Sequence, residues 1–360
     1  MAGQSLIGRV VFGACFSLLS ASASPIFNFT LGGGITPQGA AGFQAAADRY
    51  SALFTDNVTI NISIDLAALG PGILGSASST QGTYTYTAAR AALTGDSKSL
   101  DDASAVANLQ AAPAVSMLLN YTSNSPNGSG SPTPFLDNDG DANNTTIRMS
   151  NANAKALGLL AANNAALDAS ITFSSNFNFD YDPANGITAG SYDFVGIATH
   201  EIGHALGFIS GVDILDINSP QGVSTFFPDN AFTFVSTLDL YRFSAASIAA
   251  GARVIDWTAD TRDKYFSIDG GVTNIARYST GDVHGDGSQA SHWKDGLGIG
   301  IMDPTAAAGE LMALSNTDLR GFDVIGWDLE AVPEPGTIVL MGLGLFGLVS
   351  YRRTRSSRAG

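Results

Sequence analysis

The stretch Ala198-Thr199-His200-Glu201-Ile202-Gly203-His204-Ala205-Leu206-Gly207 sits just past the middle of a 360-residue chain. Val195, Ile197 and Ala198 before the histidines and Ala205 and Leu206 after them predict a helix. Residues four apart lie on one helical face, one turn from each other. His200 and His204 can therefore reach a single zinc ion at ~2.0–2.1 Å. Glu201 is rotated by about 100° from His200, poorly placed as a third ligand but able to reach a water on the metal. Zinc lowers the pKa of such a water to about 7, and a carboxylate beside it can take the proton and pass it to a leaving amine. Hydrolysis of a peptide bond needs these residue types at this spacing. The chain has only four His and four Glu, so the cluster takes half of one and a quarter of the other, and a chance match is a poor explanation.

A catalytic zinc takes a third protein ligand and keeps one position open. Up to Gly207 the stretch resembles the metzincin pattern HExxHxxGxxH, in which the glycine lets the helix turn back and a nearby histidine completes the site. Ser210 stands where that histidine would be, and serine is a poor zinc ligand. No Glu lies between 201 and 310 to serve instead. The remaining imidazoles are His284 and His292, with Asp213 and Asp216 as nearby carboxylate alternatives. The residues alone leave all four open, and Asp213 is also a candidate partner of a ligand imidazole.

Residues 291–304 read Ser-His-Trp-Lys-Asp-Gly-Leu-Gly-Ile-Gly-Ile-Met-Asp-Pro. Together with the helix motif they resemble leishmanolysin-type metzincins, in which a distant His-Trp pair supplies the third histidine and a methionine follows in a tight turn. The resemblance implies His292 as third ligand and Met302 as the Met-turn residue. It implies an α+β, zincin/metzincin-like fold, with a twisted mixed sheet and the active-site helix in an N-terminal lobe. An irregular β-rich C-terminal lobe, splitting off near 207, would carry the Met-turn and a terminal helix. The propeptide cysteine that holds leishmanolysin-type enzymes latent has no counterpart in the expected mature chain. The body also looks like a group of bacterial PEP-CTERM-tagged metallopeptidases over roughly 36–329, on Ala154–Gly158, Tyr192–Phe194, Gly207–Asp213, Leu238–Arg242, Gly285–Gly287 and Ser291–Trp293.

Both ends read as addresses. Residues 1–23 carry Arg9, an apolar run from Val10 to Leu19, and Ala21-Ser22-Ala23, the pattern of a signal peptide cut before Ser24. The lone Cys15 leaves with it, so the expected mature chain has no disulfide and no thiolate ligand. At the other end, Val332-Pro333-Glu334-Pro335 precedes an apolar run from Ile338 to Tyr351 and then Arg352, Arg353, Arg355 and Arg358. The run is short against the ~20 residues that cross a bilayer comfortably, and the arginines fit the positive-inside rule. Residues 332–360 resemble a PEP-CTERM sorting signal, which implies export, a transient membrane anchor and an exosortase-type processing enzyme as partner.

The domain between, 24–331, keeps 12 of the 17 basic residues and 31 of the 32 acidic ones. With 45% apolar and 14% charged residues, the 360-residue chain as a whole does not have the composition of a disordered one. A whole-chain net charge of −15 excludes nucleic acid as a partner, because a phosphate-binding surface needs a basic stripe. Asp137, Asp139 and Asp141 alternate in a loop and are candidate calcium ligands. Against that, Ala142 replaces the glycine an EF-hand loop requires and no Glu closes the loop.

Helices are expected over 36–54, 86–96, 100–111 and 150–168, and from Thr317 to about Ile325 behind an N-cap at Ser315. Alternation in Val58–Asp65 predicts a half-buried strand, and Ile171-Thr172-Phe173 a short one. Residues 67–83 and 121–146 read as loops. Phe232–Phe243 and Tyr265–Ile268 read as strands, with a turn at Asp269-Gly270-Gly271. The expected function is an exported zinc endopeptidase acting on a protein or peptide substrate, with Glu201 activating the water. The alternative is an inactive matrix or adhesion protein on the same scaffold, suggested by Ser210 and the sorting tail.

Overall fold

The computed structural model describes residues 23–219 and 225–330. The proposed signal peptide, cleavage site aside, and the sorting tail with its apolar run lie outside them. The protein is mixed α+β, with several small sheets and nine α-helices among the described residues. None of those helices is long and apolar enough to cross a membrane.

The principal sheet is mixed. Strands β1 (Ile26–Leu31), β2 (Thr59–Ala67) and β8 (Ala169–Ser174) run parallel, and β3 (Gly75–Ser79) closes one edge antiparallel to β8. The alternation in β2 buries Ile60, Ile62 and Ile64 completely. Helix α1 (Pro37–Ser51), capped by the Thr36 hydroxyl, covers this sheet beside α6 (Phe194–Ala205). Phe43, Phe173 and Phe194 meet between them with ring centroids 4.6–5.3 Å apart. Gly42 lets the two helices close up, since a Cβ there would come within 2.4 Å of the Phe194 ring.

Small sheets surround this core. Strands β4 (Gln81–Thr85) and β7 (Thr146–Ser150) pair antiparallel, and β9 (Phe179–Asp180) and β10 (Tyr192–Asp193) pair parallel. A three-stranded sheet combines β5 (Met117–Leu119), β6 (Phe135–Asp137) and β12 (Ile255–Asp256), joining segments from both sides of residue 207. The last sheet holds β11 (Arg242–Phe243), β13 (Lys264–Phe266) and β14 (Ala276–Tyr278). The remaining helices are α2 (Tyr86–Asp96), α3 (Leu100–Asn108), α4 (Ala142–Thr145), α5 (Asn151–Ala156), α7 (Val212–Ile217), α8 (Ala245–Ala250) and α9 (Asn316–Val324). Ser315 caps α9 in a capping box with Asp318.

Four expectations are corrected. The stretch 121–146, expected as a loop, contains β6 and α4. The stretch 67–83 contains β3 and most of β4. The helix expected over 150–168 is the six-residue α5, which Gly158 terminates at φ 68°. Of the strand expected over Phe232–Phe243 only β11 at its end forms; before it come a turn and the 3₁₀ segment Leu238–Tyr241, because the Asp239 carboxylate accepts the Ser236 and Gly211 amides and bends the chain back.

A buried ion pair ties the sheet to α5. Lys155 Nζ lies 2.6 Å from Asp168 Oδ2, both side chains fully enclosed. Lys155 also donates to the Thr59 carbonyl, and Asp168 accepts the Asn61 amide.

Candidate metal centre

Helix α6 begins at Asp193, whose carboxylate accepts the Gly196 and Met312 amides. Its residues are buried all round except at His204, which is half-buried. The helix ends at Gly207, whose φ of 112° is open to glycine and strained for other residues. The reversal brings the Phe208 carbonyl within 2.7 Å of His204 Nδ1.

His200, His204 and His292 converge. The three Nε2 atoms are 3.1 Å (His200–His204), 3.1 Å (His204–His292) and 3.3 Å (His200–His292) apart. Every Nδ1 faces a backbone carbonyl: Ile301 for His200 at 2.7 Å, Phe208 for His204 at 2.7 Å and Gln289 for His292 at 3.2 Å. A ring that donates from Nδ1 presents a bare lone pair at Nε2 when neutral. Burial disfavours the charged form of each ring: it lowers His200, lowers His204 to about 3 with help from His200, and takes His292 well below its ordinary value. With each Nδ1 donating to its carbonyl, three Nε2 lone pairs converge, an arrangement that a cation relieves. Four donors around zinc at ~2.0–2.1 Å in a tetrahedron lie about 3.3 Å from each other, so the observed separations fit. Three imidazoles suit zinc, copper, iron or nickel and not calcium or magnesium.

Glu201 sits beside this cluster, 6% exposed. Burial raises its carboxyl to about 8, against the opposing pull of the Ala77 amide of β3. Gly75 makes room for it, because a Cβ there would come within 2.9 Å of Glu201 Oε1. These groups line a cleft of about 900 Å³ together with β3, residues 287–289 and 291, and residues 303–306.

Met302 is fully buried under α6. A Cβ on Gly203 would lie 2.6 Å from Met302 Sδ and 2.9 Å from the Tyr50 hydroxyl, so only glycine lets the helix sit this close. The Met302 carbonyl accepts the Trp293 amide, clipping the turn to the residue that follows His292.

The other candidates have different work. Asp213 accepts the Ala290 and Ser291 amides and the Ser291 hydroxyl, and so secures the backbone that presents His292. Ser291 Oγ in turn accepts the Ser210 amide, while the Ser210 hydroxyl donates to Asp239 at 2.6 Å. Asp216 accepts the Val283 and His284 amides. His284 stacks on Tyr121 and meets the Ser219 carbonyl through Nε2, outside the cluster. Of the acidic loop, Asp137 and Asp139 stand with Asp229 as a group able to hold a metal, whereas Asp141 caps α4.

Asp318 escapes the sequence reading and is the hub of the site. Its Oδ1 accepts Trp293 Nε1 at 2.8 Å and the Met302 amide at 3.2 Å. Its Oδ2 accepts the Ile301 amide at 2.8 Å and the Ser315 amide at 2.7 Å. One carboxylate therefore joins the His292-Trp293 segment, the methionine turn and the carbonyl that orients His200. The signal available in sequence was the Ser315-x-x-Asp318 spacing, which announces a capping box and nothing more.

Among families of known proteins, the PEP-CTERM protein-sorting motif matches residues 331–354. No curated protein and no solved structure matches the chain. The C-terminus therefore carries a PEP-CTERM sorting motif, which implies export, sorting at the envelope and processing of the tail by an exosortase.

Proposed function

We propose that the chain is an exported zinc-dependent endopeptidase of metzincin-like organisation, with His200, His204 and His292 as zinc ligands and Glu201 as the proton-transferring carboxylate. The observation that carries the reading is the convergence of three imidazole Nε2 atoms at 3.1–3.3 Å beside a buried glutamate. Zinc bound by three imidazoles supplies a Lewis acid and activates water for hydrolysis.

The chain's own residues do the rest. Glu201 takes a proton at its carboxylate and delivers it to the leaving amine. Its burial strengthens it as a base, and a nearby cation draws its raised pKa back toward neutrality, where proton transfer in both directions is efficient. The β3 edge facing the cleft suits an extended substrate, which adds to the sheet through main-chain hydrogen bonds. Main-chain recognition along a strand favours unfolded segments over folded surfaces. Met302 and the Asp318 network hold the histidines in place and touch no substrate.

The test is hydrolysis of an unfolded protein by the zinc-loaded chain and by its Glu201→Gln variant. Cleavage by the wild type, with a loss of at least a hundredfold in the variant at unchanged zinc content, is expected. Equal activity in the two, or no cleavage with zinc bound, refutes the proposal.

A further inference from the structure

A second cluster lies away from the histidines. Asp137 closes β6, Asp139 follows in the loop to α4, and Asp229 opens the short 3₁₀ turn Asp229–Ala231. Their carboxylate oxygens come within 4.8 Å of one another. Asp137 is 3% exposed and Asp229 4%. None of the three belongs to an ion pair found among the described residues. Burial pushes the Asp137 carboxyl up to about 6, the Asn143 amide opposes this, and the charges of Asp229, Asp139 and Asp141 add to it. Two enclosed carboxylates with a third beside them and no basic side chain are a costly arrangement, since buried charge is normally paired or bound to metal.

An independent observation points to the missing partner. Asn143 is fully buried, and its Nδ2 donates to Asp137 Oδ2 at 2.7 Å. The Oδ1 of that same amide, whose Nδ2 already touches the cluster, is buried and has no hydrogen-bond partner among the described residues. An orphaned amide oxygen in the wall of a carboxylate cluster is a fourth ligand of the kind hard cations take. Existing contacts to the carboxylates leave lone pairs over: Asp139 Oδ1 accepts the Asp141 amide and Asp229 Oδ1 the Asn230 amide.

We infer that Asp137, Asp139, Asp229 and the Asn143 amide oxygen form a calcium site. Calcium rather than zinc or copper follows from the all-oxygen donor set. Calcium rather than magnesium follows from a cage built mainly of protein oxygens, since magnesium keeps several waters and binds few carboxylates. Asp229 replaces both Asp141 and the glutamate that an EF-hand loop places at its end. The ion would pin the segment around Asp229, which also donates its amide to Asn124, onto the 137–143 loop.

The experiment is calorimetric titration of the full chain with Ca²⁺ in chelator-treated buffer, for wild type and for Asp229→Asn, Asp139→Asn and Asp141→Asn. One calcium per chain is expected. Affinity should fall at least tenfold in Asp229→Asn and Asp139→Asn, and less than threefold in Asp141→Asn. Asp139 is exposed, so its variant tests the site even where Asp229→Asn fails to fold. Absence of stoichiometric binding, undiminished affinity in Asp139→Asn, or equal affinity for Mg²⁺ overturns the assignment. The histidines are unaltered in every variant, so either outcome leaves the zinc proposal untouched.

Discussion

Replacing Asp318 by asparagine should damage the molecule far more than a near-isosteric change ordinarily does. The wild-type carboxylate accepts four hydrogen bonds, two on each oxygen. Asparagine keeps one acceptor oxygen and turns an NH₂ toward the other pair of donors. Either Trp293 Nε1 and the Met302 amide, or the Ile301 and Ser315 amides, lose their acceptor. A hydrogen bond to a charged group contributes about 1.5–3 kcal/mol, so two lost bonds amount to about 3–6 kcal/mol. Asp318 is fully buried, so water is a poor substitute for the Trp293, Ile301 and Met302 contacts. That loss is a large part of the ~5–15 kcal/mol that holds a typical domain together. It falls on the turn whose Ile301 carbonyl orients His200, and supporting contacts of this kind are worth 10–100-fold in metal affinity. Urea unfolding gives the first quantity, and zinc affinity by chelator competition gives the second. A variant within about 0.5 kcal/mol of wild type, the range of neutral surface changes, with unchanged zinc affinity, refutes the role assigned to Asp318.

Lys155→Met leaves Asp168 buried and unpaired and should cost about 3–5 kcal/mol in urea unfolding; adding Asp168→Asn should recover more than half of it. Gly203→Ala drives a methyl group against Met302 and should cost about 1–3 kcal/mol. The double variant with Met302→Ala should lose clearly less than the sum of the singles, and strict additivity would refute the contact. Asp323 has its carboxyl raised from the ordinary 3.8 to about 7, by burial first, against the Ser99 hydroxyl and with Asp102, Asp101 and Asp328 adding to it. A folded-state value above the unfolded one contributes stability that is present below about pH 4 and lost as the pH rises through about 7. Asp323→Asn cannot ionise, so its stability relative to wild type should increase from pH 4 to pH 7, and a flat difference across that window would refute the shift.

What could be read from sequence divides along physical lines. The motif helix was legible because its apolar residues and its two histidines obey the same 3.6-residue period. Strand β2 was legible because Ile60, Ile62 and Ile64 alternate with polar residues. Strand β3 was not, since Gly-Ser-Ala-Ser-Ser carries no apolar face and pairs only at its edge position along the cleft. Trp293 and Met302 flank a turn, and their grouping with His292 was readable only through resemblance to a family. Asp213 was noticed only as a candidate ligand or imidazole partner, and Asp239 and Asp318 not at all, because much of what these carboxylates hold is backbone amide, which no residue type announces. Asp229 joins Asp137 and Asp139 across a long stretch of chain, so alternation within the loop pointed to Asp141 instead.

Zinc K-edge absorption of the zinc-loaded full chain tests the central claim most directly. The account predicts one zinc per chain, with three imidazole nitrogens at ~2.0–2.1 Å and one further light ligand. In His292→Ala the imidazole count should fall to two and the affinity should drop steeply, whereas His284→Ala should leave both unchanged. A chain that takes up no stoichiometric zinc, or a zinc whose coordination is the same in wild type and His292→Ala, would contradict it.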